Sequence, residues 1–452
     1  MLSREENELL TRVEGDAPMG RIMRGHWLPA CLSEELPEPD GDPVRVRLLG
    51  EDLVAFRDSK GRVGLLGEQC AHRKASLFFG RNEDCGLRCL YHGWKFGVDG
   101  LVLEMPTESR SGYAGRLKHK SYPVHEDAGI VWTYMGSSEG KGSAETPPAF
   151  TAPVFASETG AAGAAAAAGA KISIVKILIN CNWAQILEGA IDSSHSSLLH
   201  SSDMVPTKIE GAQATDQSWY RPSDDSAPRI QVERTGYGFK YAAIRRPITN
   251  AETHNYIRTT LFIAPYSVHI PPNDRYRIAI MHIPRDDTHT AFYFIAFGGE
   301  ATPDTETWRK FCAAQMGVDL DKTYRHLRTP ENNYLQDRKA MKTESWTGVP
   351  GIPNQDIIMW ETMGPIVDRS TDRLGTSDGA IAQFRKIMVE AARKVEADGT
   401  IIGAAEAHRQ VTLRSFEGIV PKTTDWRTLG GPETKPATTS NTRTKPVQSE
   451  AV

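Results

Sequence analysis

Residues 70–73 read CAHR and residues 89–94 read CLYHGW, so one Cys and one His recur in each of two short clusters. Two thiolates and two imidazoles drawn to a common metal pin both loops together, whatever path the chain takes between them. Two kinds of site use this donor set. One is structural zinc in a Cys2His2 site. The other is a [2Fe–2S] cluster with unlike irons, one held by Cys70 and Cys89, the other by His72 and His92. Zinc fingers usually pair Cys with Cys and His with His, whereas each arm here carries one of each, which favours the mixed iron cluster. Gly93 then permits a tight backbone and Trp94 shields the cluster.

The CxxHGW end resembles the Rieske fold. Rieske oxygenases usually have Pro where this chain has Ala71, a position that is not a ligand. Of the other cysteines, Cys31, Cys85, Cys181 and Cys312 are scattered and suggest no disulfide framework. Cys85 lies between the clusters and reads as a small buried thiol.

At 452 residues the chain can hold two or three domains. Its 53 basic and 57 acidic residues leave a net charge of −4, with no basic stripe that would recommend nucleic acid as a partner. No apolar run approaches a membrane span, and MLSREENELL has neither the basic flank nor the apolar core of a signal peptide, so a cytoplasmic protein is expected.

The pattern changes along the chain. Residues 1–42 read as a helix over 4–14, capped by Ser3 with Glu6 three positions on, and a lead-in. Residues 43–135 carry short alternating runs such as VRVRLLGEDLVAFRD between Gly and Asp-Gly turns, the pattern of a small all-β domain with both clusters on its loops. Residues 136–171, with TGAAGAAAAAGA, read as a flexible Gly/Ala-rich linker. Residues 172–430 mix strands (KISIVKILI, YIRTTLFIA) with helices near 183–198, 304–316 and 378–396, an α+β domain. Residues 431–452 are polar, Pro/Thr-rich and expected to be disordered.

The second domain carries its own metal motif, NWAQILEGAIDSSHSSLLH. His195 and His200 fall five apart in a Ser-rich break after an apolar helical run. Two imidazoles and one carboxylate on one face of an iron leave positions open for dioxygen, as in non-haem iron oxygenases. The carboxylate is expected from Asp356, in GIPNQDIIMWETMGP, on the first turn of a helix. Glu361 is its competitor, and Asp368 and Asp372 read as surface charges.

From the clusters through this motif to NQD....ETMGPI.DR....LGTSD.AI..FR, the chain resembles the oxygenase component of Rieske non-haem iron aromatic-ring dioxygenases of the phthalate dioxygenase group, over roughly residues 2–428. The resemblance implies a small all-β Rieske domain plus an α+β catalytic domain, an antiparallel sheet with helices carrying mononuclear Fe(II). It implies O2 as co-substrate, a homotrimer or stacked trimers, and a separate flavin and iron–sulfur reductase using NAD(P)H. No GxGxxG follows a strand here, so the nicotinamide site is expected elsewhere. It also implies that Asp192 bridges His92 of one subunit to His195 of its neighbour, and that Asn182 lies close to the iron; a capping role for Asn182 stays open.

In NYIRTTLFIAP, alternation sets Arg258 on one face with Tyr256, Thr260 and Phe262. A guanidinium between aromatics is tolerable if a carboxylate meets it in a bidentate fork. Arg221, in SWYRPSDD, is a second candidate, or else a loop arginine paired with Asp224 or Asp225. In phthalate dioxygenases two arginines and a serine hold the substrate, and the resemblance places them at Arg221, Arg258 and Ser193. Arg245 and Arg246 compete, only one of them able to face inward. The expected reaction is cis-dihydroxylation of a benzene carboxylate, phthalate first. Isophthalate, terephthalate or phenoxybenzoate dioxygenation, a Rieske monooxygenase or O-demethylase, and a Rieske electron carrier are the alternatives.

Overall fold

Ser3 opens the first helix, α1 (Arg4–Thr11), through a reciprocal cap: its hydroxyl accepts from the Glu6 N–H and the Glu6 carboxylate accepts from the Ser3 N–H. The computed structural model describes residues 2–108, 112–136, 147–151, 171–207, 219–271, 276–298 and 301–432. The Ala-rich stretch, most of the linker around it and nearly all of the tail lie outside the described residues. A second short helix, α2 (Pro18–Arg24), starts on proline, whose missing N–H costs nothing in a first turn.

The first domain is built from β1 (Trp27–Leu32), β2 (Val44–Leu48), β3 (Glu51–Arg57), β4 (Val63–Gly67), β5 (Arg81–Glu83), β6 (Gly86–Arg88), β7 (Lys95–Phe96), β8 (Val102–Glu104), β9 (Ser121–Tyr122), β10 (Val124–Asp127) and β11 (Ile130–Tyr134). They form three antiparallel sheets in the orders β1-β11-β10, β2-β3-β4-β9 and β5-β6-β7-β8. Pairing thus reaches back to Trp27, ahead of residue 43. Cys85 is not the buried thiol the sequence suggests: it sits half-exposed, at φ 61°, on the β5–β6 turn.

The second domain centres on one antiparallel sheet. Its strands are β12 (Ile172–Ile179), β15 (Arg229–Thr235), β16 (Gly238–Arg245), β17 (His254–Ile263), β18 (Ser267–Ile270), β19 (Arg277–Asp286) and β20 (His289–Phe297), in the order β12-β20-β19-β18-β17-β16-β15. β22 (Phe416–Pro421) pairs with the first half of β17, beside β18. Two small pairs complete the strands: parallel β13 (Met204–Pro206) with β14 (Trp219–Arg221), and β21 (Leu413–Arg414) with β23 (Gly431–Pro432). The helices are α3 (Trp183–Ala190), α4 (Thr305–Phe311), α5 (Ile352–Thr362) and α6 (Gly379–Asp398), and α1 and α2 pack on α6. Among the described residues no helix is long and apolar enough to cross a membrane.

The two domains share a core. Leu48 and Leu53 of the first belong to one apolar cluster with Met281 and Ile283 of the second. Leu49 and Gly50 donate backbone hydrogen bonds to Pro284 and Arg285, clamping the β2–β3 turn to β19. Helix α3 ends sooner than its periodicity suggests, because Asp192 turns back to accept the Ser194 N–H at 2.7 Å and competes with the helical pattern.

Beneath that helix, Glu188 is buried between two guanidiniums, Arg369 Nε and Arg385 Nε each 2.8 Å away, and Arg385 also meets Asp372 at 2.7 Å. Asp372 is therefore part of an inner ion network and not the surface charge expected, whereas Asp368 is exposed. Burial alone would raise the Glu188 carboxyl, but the two arginines hold it below its ordinary value of 4.5. The stabilisation is complete above that value and is lost as pH falls through the depressed folded pKa. Glu188→Gln leaves buried Arg369 without its carboxylate and Arg385 with Asp372 alone, and denaturant unfolding should show a loss of about 3–5 kcal/mol at neutral pH. Wild-type stability in that variant would refute the role.

Candidate metal centres and active site

The first Cys/His cluster follows β4 and the second joins β6 to β7. Both close with the same hydrogen bonds. Lys74 N–H donates to the Cys70 carbonyl and Gly93 N–H to the Cys89 carbonyl, while Cys70 and Cys89 N–H donate to the carbonyls of Ala75 and Trp94. The fifth residue of each turn is left-handed, Lys74 at φ 64° and Gly93 at φ 75°. At Gly93 a Cβ would meet Pro106 Cγ at 2.6 Å, so glycine is required there by space as well as by φ.

These turns gather all four predicted donors. The Cys70 and Cys89 thiols touch at the buried base, and the His72 and His92 rings sit 4.4 Å apart at the half-exposed rim. Trp94 stacks on His72 at 4.7 Å. Burial and the neighbouring Cys89 push the Cys70 thiol up to about 11, so the pair carries negative charge when bound cations receive it. Segregated thiols and imidazoles fit one iron with two sulfur ligands and one with two nitrogens, not a tetrahedral zinc finger.

The second centre forms where two helix ends meet. His195 and His200 leave the turn after α3, and Asp356 stands on the second turn of α5, not the first. His195 Nε2 lies 3.2 Å from His200 Nε2, and Asp356 Oδ1 lies 3.5 Å from the former and 3.3 Å from the latter. The opposite ring nitrogens are occupied: His200 Nδ1 is 2.8 Å from Gln355 Oε1, and His195 Nδ1 is 3.4 Å from Asp192 Oδ2. Since both partners only accept, each Nδ1 carries the proton and each Nε2 lone pair is free for metal. Three such donors on one side fit iron with open positions. Glu361 lies away from this group and accepts from Asn180 and Tyr334.

A cavity of about 690 Å³, counting its open mouth, leads to this trio. Trp219, Ile280, Phe292, Phe294, Ile352 and Trp360 give it apolar walls, and Asp192, Ser193, Ser196, Tyr241, Arg258 and Thr260 bring polar groups to it besides the metal donors. Arg258 donates to the Pro271 carbonyl at 2.8 Å, and its buried Nε has no partner among the described residues. Arg221 stands behind the lining, donating to Ser196 and Ser197 hydroxyls and not to Asp224 or Asp225. Arg245 is the inward member of its pair. It donates to the Ser193 carbonyl at 2.6 Å and hydroxyl at 3.2 Å, whereas Arg246 is exposed beside Asp224. Burial and mutual repulsion push Arg221 down to about 9 and Arg245 down to about 10, both still cationic at neutral pH. Asn182 does not line the cavity. It caps α3 by accepting the Ala184 N–H, and its amide donates to the carbonyls of Thr11 and Asp287.

Gln355 and Asp203 escaped the sequence reading. Gln355 also donates to Asp203 Oδ2 at 2.8 Å, so a chain of acceptors stands behind His200. Adjacency of Gln355 to Asp356 in NQD was the available signal.

A cluster-binding β domain coupled to an α+β domain with a two-histidine, one-carboxylate centre under an apolar cavity defines a Rieske non-haem iron oxygenase. A Rieske [2Fe-2S] domain model matches residues 26–123, and the family model "LigXa C-terminal domain like" matches residues 133–448. The chain is 54% identical to the phthalate 4,5-dioxygenase oxygenase subunit of Pseudomonas putida over 94% of each chain. It is 35% identical to the 3-chlorobenzoate-3,4-dioxygenase oxygenase subunit of Comamonas testosteroni, over 94% of this chain and 96% of that one. Dicamba monooxygenase bound to dicamba has the same fold, at a TM-score of 0.53 and 17% identity, covering 83% of this chain and 98% of that one. The chain belongs to the Rieske non-haem iron aromatic-ring oxygenases, in the phthalate dioxygenase group. As a terminal oxygenase it uses a Rieske [2Fe–2S] cluster, mononuclear iron and O2.

Removing the acceptor behind His200 should loosen the metal specifically. Gln355→Leu is expected to weaken iron binding roughly 10–100-fold while the visible spectrum of the cluster is unchanged. Iron retained as in wild type against a graded chelator would contradict this.

Proposed function

We propose that Cys70 and Cys89 hold one iron of the cluster and His72 and His92 the other, that His195, His200 and Asp356 hold the mononuclear iron, and that the enzyme cis-dihydroxylates a benzene carboxylate, phthalate first, at ring carbons away from its carboxyl groups. The observation that carries this is a single cavity that presents a metal-binding trio and a buried guanidinium with a free Nε, between apolar walls. Two relatives, named for phthalate and 3-chlorobenzoate, support a ring bearing a carboxylate. The cluster supplies electrons one at a time, and the mononuclear iron supplies the place where O2 is reduced.

The protein's own residues bind, orient and exclude. The walls take the ring and displace water from it, while Arg258, with Arg221 behind it, takes the carboxylates and sets which ring edge faces the metal trio. Ser193 accepts from Arg245, which leaves its own O–H free to donate to a substrate oxygen. Product analysis with phthalate, isophthalate, terephthalate, phenoxybenzoate and a methoxybenzoate tests this. A cis-diol from phthalate is expected, and demethylation without diol would favour the O-demethylase alternative. Arg258→Ala should retain both metals and lose about 1.5–3 kcal/mol of phthalate binding. Unchanged affinity would move the anchor to Arg221 or Arg245.

The electron path completes the proposal. Exposed Leu90 and Tyr91 collar His92, and an apolar rim around a half-exposed ligand suits a subunit contact. In a cytoplasmic homotrimer, or stacked trimers, His92 of one copy would meet Asp192 of the next, whose carboxylate already faces His195. Asp192→Asn keeps the size and removes the charge. A reduced cluster should then fail to reoxidise in a single turnover with O2 and substrate, and reoxidation at the wild-type rate would exclude the bridge.

A further inference from the structure

Glu417 lies opposite Arg258 in the β17–β22 pair, so the two side chains leave the same face of the sheet. Tyr256 stands on that face too, with Arg245 opposite it on β16. Tyr256 Oη donates to Glu417 Oε1 at 2.5 Å, while Glu417 Oε2 is shielded from solvent and has no hydrogen-bond partner among the described residues. Arg221, Arg245 and Arg258 all act electrostatically on this carboxylate. Burial raises it above its ordinary value of 4.5, although Arg258, the Tyr256 hydroxyl, Arg221 and Arg245 all pull against that rise. Within this group of four, three guanidiniums against one carboxylate leave two positive charges over, while the Asp192 and Asp356 carboxylates that also line the cavity face His195 and His200.

We propose that Glu417 is a specificity-determining residue: by cancelling one guanidinium charge, it limits substrates at this end of the cavity to two negative charges, admitting a benzene dicarboxylate and rejecting a tricarboxylate. This rests on Arg258 as the carboxylate anchor. A dianion neutralises the two remaining charges. A third carboxylate has no cation left to meet and adds to the negative charge of Glu417, which stands behind Arg258 and outside the cavity lining, and a repulsive element of this kind is how a site refuses a near-isostere of its ligand.

Size must be separated from charge. The probes are phthalate, its uncharged dimethyl ester, benzene-1,2,4-tricarboxylate, and 4-carbamoylphthalate, which replaces the third carboxylate by a neutral amide of equal size. Their affinities are measured by calorimetry on the holoenzyme. In wild type the amide should bind roughly tenfold or more tighter than the tricarboxylate. Glu417→Gln should close that gap, and Glu417→Asp should keep it. Equal binding of amide and tricarboxylate to the wild type, which needs no variant to fold, overturns the inference. So does a gap that persists in Glu417→Gln. Phthalate binding no tighter than its dimethyl ester would instead sink the anchor, a separable result.

Discussion

Gly189 and Trp360 hold the active centre together. An added Cβ at Gly189 would lie 2.3 Å from the Trp360 indole nitrogen, so α3 and α5 approach this closely because one of them presents bare backbone. His195 and His200 hang from the end of one helix and Asp356 rides on the other, so the gap between the helices sets the distances among all three donors. Other contacts lock the same junction. Gln185 donates to the carbonyls of Trp360 and Gly364, and Glu361 accepts the Asn180 N–H. Glu188, one residue before Gly189, fastens α3 to the chain around Arg369 and Arg385.

Each centre keeps its charge chemistry in a different kind of shelter. The cysteines sit in an apolar pocket with Leu77, Leu87 and Phe96, and the histidines face outward. At the mononuclear site the histidines are turned inward and the outer nitrogens are claimed by Gln355 and Asp192. Imidazole is shared by both candidate centres, and its surroundings decide which way it faces, outward at the rim of the first and toward the cavity at the second.

The cavity joins surfaces with opposite demands. Its aromatic and aliphatic walls gain from a ring, while the buried guanidiniums beside them are stable only if anions accompany them. Tyr256 and Glu417 supply part of that compensation from within the fold. The rest of that positive charge is open to an anionic group of a ligand.

Most of the candidate metal donors were legible in the sequence because they come in local pairs, in CAHR, CLYHGW and HSSLLH, although Asp356 joins its pair of histidines from about 160 residues away. Strand alternation likewise placed Arg258 and Thr260 on one face, since period two is a property of the backbone. The early end of α3, the inner position of Asp372 and the role of Gln355 were not legible, because each depends on contacts far along the chain. Choosing Arg245 over Arg246 needed the orientation of β16 against the turn after α3, and pairing Glu417 with Arg258 needed a strand some 160 residues away to find its register. Sequence by itself determined which atoms can bind metal and which faces are apolar. Tertiary structure alone decided which charges share a desolvated space, because that is a matter of distance and exclusion of water between segments the chain does not otherwise connect.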